Sequence, residues 1–291
     1  MPRWYITAAV FIMKKCFVVL SALILMAFCS CQKIAGDPIS EEFSISGTYT
    51  KLEVEDAFEV TVTDEVSQIT VTVGENIMPK VVVKKVNNTL KIYCQSLTIP
   101  AGEMKVKLPY NADLTSVDLS GASEFHSEYG LDGSKVKVEL SGASEFYCNI
   151  TGNEADIDLS GASVFVGNID VQDVDMEVSG SSHIGGDIES TELSLELSGA
   201  SDATFIGDVG KLHIDLYGAS RIIATLDLGR YGLACEQCEG EMSGASTAYI
   251  HCDGEIKVNL SGSSKLHFTG EGNPADSSTS GGSEIIHDEN P

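Results

Sequence analysis

The sequence is poor in positive charge. Its 291 residues hold 18 Lys and Arg against 43 Asp and Glu, a formal charge of -25. No basic surface is available to replace the counterions of a nucleic acid, so nucleic acid is excluded as a partner, and contact with an anionic membrane surface is disfavoured for the same reason. Histidine is sparse too. The six, His126, His183, His213, His251, His267 and His287, stand at scattered places and form no ladder, which argues against a metallohydrolase or a Ser-His-Asp site. Helix-length amphipathic stretches are missing. Eight cysteines in a chain of this length do not make a disulfide-held miniprotein, and a hydrophobic content of 43% is too high for a disordered acidic tail. The chain is therefore expected to fold around a core.

The one long apolar run lies at the start. Met13-Lys14-Lys15 is followed by apolar residues to Phe28 and then by Cys29-Ser30-Cys31, a pattern too short and too lightly flanked for a permanent membrane span. It resembles a bacterial lipoprotein signal: residues 1–30 are expected to be a signal peptide, starting either at Met1 or at Met13, with Cys31 as the lipid acceptor and Cys29 as the alternative. Residues 31–42 then form a lipidated linker. Loss of Arg3, Lys14 and Lys15 without any acid leaves the mature chain more acidic still.

From residue 116 onward the sequence repeats. Ser-Gly-Ala-Ser or a close variant begins at Ser120, Ser141, Ser160, Ser179, Ser198, Tyr217, Ser243, Ser261 and Ser280, at steps of 18 to 21 residues with one step of 26. Before each of the first eight copies comes a triplet with an apolar-polar-apolar pattern, such as Val117-Asp118-Leu119 or Ile157-Asp158-Leu159. Alternation with period two is the mark of a strand with one buried face. Five residues after each motif start stands another apolar residue, Phe125, Phe146, Phe165, Ile184 and their equivalents, so a second strand begins after the corner. The reading is all-β: a right-handed parallel β-helix over residues 116–291, of about nine rungs of about 19 residues, or ~43 Å at the usual strand spacing. Leucine-rich, calcium-repeat and hexapeptide solenoids fit worse. The Ser-Gly-Ala-Ser segment reads as a tight corner in which Gly supplies backbone freedom and the third residue stays small in a crowded stack. A catalytic serine repeated nine times has no use.

Residues 43–115 carry longer alternating strands, Phe58-Glu59-Val60-Thr61-Val62 and Leu90-Lys91-Ile92-Tyr93 among them, with Asn87-Asn88 as a hairpin turn. They are expected to form a β-rich cap that covers the first rung. These strands, the Val106-Lys107-Leu108-Pro109 strand and the reiterated Leu-Ser-Gly-Ala-Ser together are similar to the putative auto-transporter adhesin, head GIN domain family of bacterial envelope proteins. That resemblance implies a secreted or lipid-anchored β-helical protein of the cell envelope of Bacteroides-like bacteria. It supplies no catalytic residues.

Two groups of residues are candidates for chemistry. The central acids of the triplets, Asp118, Glu139, Asp158, Glu177, Glu196, Asp215 and Glu241, should fall on one outward column if successive copies stack. Like charges ~5 Å apart in water repel by roughly 0.8 kcal/mol per neighbouring pair before screening, so the column either binds something cationic, Ca²⁺ or a lysine-rich partner, or simply keeps the rod soluble. Cys235-Glu236-Gln237-Cys238 is assigned to an insertion in the long step, with Cys252 fourteen residues on. A structural disulfide among these three is the favoured reading, ahead of free thiols and of zinc or redox work. Tyr147, Tyr249 and His267 offer rings for sugar stacking or for packing. The expected function is non-enzymatic: an outer-membrane lipoprotein whose repetitive acidic face binds a glycan or an envelope protein. A polysaccharide-active lyase or hydrolase and a ligand-free spacer are the alternatives, and the only expected membrane contact is the lipid on Cys31.

Overall fold

Alternating residues that recur every 18 to 21 positions bury most surface when each turn of chain lies directly over the last, and the computed structural model has this arrangement. It describes residues 35–95, 102–223, 226–227 and 230–289; the expected signal segment and Cys31 lie outside these residues. Parallel strands stack into a β-solenoid of about nine turns. Leu131–Leu140, Ile150–Leu159 and Ile169–Val178 pair in register, and His183–Leu197, Asp202–Leu216, Leu233–Met242 and Ile256–Leu260 continue the same sheet. After each corner a second sheet stacks likewise, from Glu124–His126 through Glu145–Tyr147 and Val164–Val166 to Lys265–Thr269 and Glu284–His287. Among the described residues no helix is long and apolar enough to cross a membrane.

Because the register is strict, each inward position becomes a column of like residues. Phe125, Phe146 and Phe165 lie over one another with ring centroids 5.3 and 5.1 Å apart and are fully buried. Where this column narrows to Ala203, Phe205 two residues later on the same strand is also buried. Facing columns of Val, Ile and Leu complete a single continuous core.

The corners stack through their backbones. From the second copy on, the N–H of the third residue donates to the carbonyl of the glycine one turn below, Ala143 to Gly121, Ala162 to Gly142 and Ser181 to Gly161, each at 2.7 Å. The glycines hold φ of 77° to 79° at Gly142, Gly161 and Gly180, a left-handed conformation open mainly to glycine. The crowding falls elsewhere than the sequence reading puts it. The third residue is exposed, and it is the fourth, Ser123, Ser144, Ser163 and their equivalents, that points into the core. Most of these hydroxyls bond within their own corner, Ser144 donating to the carbonyl of Ser141 (2.8 Å) and Ser163 to that of Ser160 (2.7 Å), while the Ser246 hydroxyl is buried without a partner. A buried serine without that acceptor would cost the desolvation of its hydroxyl.

The stack does not begin at residue 116. Lys51–Val54 pairs in parallel with Ser116–Leu119, and Glu59–Thr63 with Glu124–His126, so Leu52 to Val60 is a further turn in the same register. Its corner is Glu55-Asp56-Ala57-Phe58, with Asp56 in the glycine position at φ 77° and Phe58 buried in the serine position. Beyond it lie Thr89–Cys94 and Lys105–Pro109. Antiparallel strands then close this end: Val81–Val86 folds back on Thr89–Cys94 through Asn87-Asn88, while Ile69–Gly74 and Pro38–Phe43 extend the other sheet. The outermost strands carry Lys84 and Lys85, or Pro38, Glu41 and Glu42, residues that discourage further strand addition.

Candidate functional site: the acidic face of the long sheet

The register places the triplet acids on one outward column. Asp118 pairs with Glu139, Glu139 with Asp158, and so on through Glu177, Glu196 and Asp215 to Glu241, with Asn259 next. Glu53 extends the column by one turn. Two more columns run beside it on one side, two and four residues earlier along each strand, because every second residue of a strand points the same way. One runs Lys137, Asp156, Asp175, Ser194, His213, Glu239 and the other Lys135, Glu154, Asp173, Glu192, Lys211. Reading the single column alone missed these neighbours, although the same two-residue period in the sequence carries them.

Across the three columns the charges are zoned. At one margin Lys51 reaches Asp118 (3.4 Å) and Glu139 (3.6 Å), Lys137 reaches Glu139 (3.3 Å) and Asp158 (3.5 Å), and Lys135 reaches Asp156 (2.8 Å) and Glu154 (3.4 Å). At the other, Lys211 contacts Glu239 (2.6 Å) and Glu192 (3.8 Å), holding Glu239 below the usual carboxylate range through its hydrogen bond. Between the two lysine margins, Asp173, Asp175, Glu177 and Glu196 make no ion pair among the described residues. The Glu177 carboxyl is raised above its usual range, first by Asp158, then by burial, Glu196 and Asp175, against an opposing pull from Lys137. The column borders an open groove of about 560 Å³ whose other wall is the corner serines Ser141, Ser160, Ser179 and Ser198.

The carboxylates run in lines and do not converge. Among the described residues no group of three or more His, Cys, Asp or Glu side chains is placed to share a metal ion.

The cysteine reading needs one correction. Cys235 and Cys238 lie on the regular strand Leu233–Met242, in register with Val209 and Leu212 below; the extra residues of the long step instead include the short antiparallel pair Leu226–Asp227 and Arg230–Tyr231. Counting back from the motif shows why, since Cys238 stands five residues before Ser243 as the buried Val136, Val174 and Leu193 stand before theirs. Cys235, Cys238 and Cys252 are buried thiols in this structure, with Cys235 opposite Cys252 on the next turn. The thiol of Cys235 is pushed up through hydrogen bonding with Cys238, and that of Cys252 through hydrogen bonding with Cys235. Thiols so placed act as small core residues and not as nucleophiles. The rings fall into two separate groups, Tyr147 stacking on His126 and Tyr249 on His267, each pair 4.7 or 4.6 Å apart.

The comparisons agree with this architecture. The sequence profile of the family described as "Putative auto-transporter adhesin, head GIN domain" matches residues 48–186 and again residues 164–272. A crystal structure called a putative lipid binding protein, from Parabacteroides distasonis, superposes with a TM-score of 0.61 at 20% identity, covering 87% of this chain and 98% of its own. A putative adhesin from Parabacteroides merdae gives 0.62 at 17% identity over 87% and 97%, and a second from P. distasonis gives 0.56 at 19% over 87% and 95%. At these identities the likeness is one of fold. No curated protein matches the chain.

Proposed function

Because the chain belongs to the putative auto-transporter adhesin, head GIN domain family, we propose that it is a non-enzymatic, lipid-anchored cell-envelope adhesin, held in the outer membrane through Cys31, whose acidic face engages a lysine-rich protein surface. The observation that carries this reading is the zoning of charge. Lysines pair with acids at both margins of the face, while the central acids Asp173, Asp175, Glu177 and Glu196 make no ion pair among the described residues and like charge raises the Glu177 carboxyl. A solubilising face would need charge but no such bare centre. A hydrolase or lyase would need a pair of carboxylates converging on one bond, whereas here the acids run in columns along the sheet.

The double variant Asp175→Asn/Glu177→Gln separates folding from binding. Removing two mutually repelling charges is expected to stabilise the protein by about 0.5–1 kcal/mol at low ionic strength, an effect that shrinks as salt screens it. The sign with pH follows: the fold raises the Glu177 carboxyl above its usual range, so its ionisation destabilises at neutral pH, and that penalty fades as pH falls through the raised pKa. The variant should therefore melt higher at pH 7 and show a smaller gain on acidification. The same variant is expected to lose affinity for immobilised polylysine, measured as a lower salt concentration for elution. Unchanged elution would remove the acidic face as the contact surface, whatever the melting temperature does.

The anchor is tested separately. Cys31→Ser is expected to abolish incorporation of a fatty-acid analogue in growing cells and to release the protein from the membrane fraction; label persisting in this variant would move the acceptor to Cys29 or elsewhere.

A further inference from the structure

Large apolar side chains stay out of water almost everywhere on this molecule. Only Ile39, Val86, Tyr110 and Tyr129 are exposed among the described residues, and two of these four stack on each other, with ring centroids 4.7 Å apart and planes 30° from parallel. They come from different connections: Tyr110 follows the strand Lys105–Pro109, and Tyr129 precedes Leu131–Leu140. Both are fixed. The Tyr110 N–H donates to the Thr63 carbonyl (3.0 Å), the Asp64 N–H donates to the Tyr129 hydroxyl (3.2 Å), and the Tyr129 N–H donates to Ser127 Oγ (3.2 Å).

Tyr129 forms one side of an open cleft of about 570 Å³. Also in its lining are His126 and Tyr147, which occupy equivalent positions on successive turns and stack 4.7 Å apart with planes within 3°. These rings are pinned by acids on their own strands, Tyr147 donating its hydroxyl proton to Glu145 (2.5 Å) and His126 Nε2 meeting Glu124 (2.5 Å). Asp64, Glu65, Glu128 and Lys107 stand around the same cleft, with Lys107 bound to Glu65 (3.0 Å).

We infer that this cleft is a binding site for a neutral polysaccharide. The electron-rich faces of fixed rings match the apolar C–H face of a pyranose, while carboxylates and hydroxyls around them accept and donate to sugar hydroxyls. A volume of several hundred Å³ is that of a small-ligand site, and an open mouth admits a chain that continues beyond it. Rings already held by hydrogen bonds lose little freedom on binding. The acids outnumber the single lysine, which is itself engaged, so uronate-bearing or sulfated polymers are repelled. The cleft lies on the sheet after the corner, apart from the acidic columns that precede it, and its occupancy is independent of the proposed protein contact.

Affinity electrophoresis of the full chain in detergent, through gels containing laminarin, mannan, dextran or polygalacturonate, tests this. Retardation is expected with at least one of the three neutral polymers and not with polygalacturonate. Tyr129→Ala should weaken the retarding interaction about tenfold, and Tyr110→Ala/Tyr129→Ala further. Both residues are exposed, so melting temperatures should hold; Tyr129→Phe, which keeps the ring face but loses the hydroxyl that accepts from the Asp64 N–H, should retain more of the interaction than Tyr129→Ala. Asp175→Asn/Glu177→Gln should leave retardation unchanged, which separates this site from the acidic face. Retardation by none of the neutral polymers, by polygalacturonate alone, or undiminished in the double tyrosine variant would overturn the assignment.

Discussion

Phe146→Ala should be the most damaging single substitution in the protein, at about 3–5 kcal/mol. Phe146 is the middle ring of the buried stack, with Phe125 at 5.3 Å and Phe165 at 5.1 Å, so truncation removes ring contacts on both sides and leaves a cavity between two turns. The solenoid cannot close that cavity by local shifts, because the spacing of neighbouring turns is set by backbone hydrogen bonds on both sheets. At roughly 2–4 °C per kcal/mol for a domain of this size, the melting temperature should fall by about 6–20 °C. Phe146→Leu, which keeps much of the volume, should cost well under half as much. A thermal melt of the two variants side by side checks this; equal small losses would mean that the ring stack does not define the core.

Gly161→Ala is expected to come second. Gly161 holds φ at 79°, which costs a side-chain-bearing residue about 1–2 kcal/mol, and an added Cβ would sit 2.4 Å from the carbonyl oxygen of Gly142. That oxygen is fixed by the N–H of Ala162 and cannot withdraw without breaking the bond that joins the corners. The loss should exceed 2 kcal/mol in a denaturant titration. Ala162→Ser, one residue on at an exposed position, should change stability by less than about 0.5 kcal/mol, as Ser181 and Ser263 already stand at that position in other copies. If both variants behaved alike, the corner glycines would have no special conformational role.

Much of this was legible from spacing alone. A motif that returns every 19 residues with an alternating triplet before it leaves few options besides stacked turns, and with stacking come the acidic column and the phenylalanine stack. What escaped did so for physical reasons. The turn at Leu52–Val60 was hidden because neither glycine nor serine marks its corner: Asp56 tolerates the left-handed conformation with its carboxylate accepting from the Cys94 N–H (2.7 Å), and Phe58 fills the inward site with carbon. The place of Cys238 was obscured by residues inserted between two regular strands. The orientation of the corner residues was not written in composition, since alanine and serine are both small and only the backbone hydrogen bonds decide which one faces inward. The bare centre of the acidic face needed three columns to be read together. The meeting of Tyr110 with Tyr129 depends on how two connecting segments run across the surface, and no periodic pattern encodes that.

The near-identity of successive corners has a bearing on how such a molecule can change its length. Each turn offers its neighbours the same glycine carbonyl below and the same N–H above, so excising or duplicating one whole copy, residues 160–178 for example, would bring equivalent interfaces together again. Recombination between copies of the underlying coding sequence would thus lengthen or shorten the solenoid in quanta of ~4.8 Å without redesign of either end.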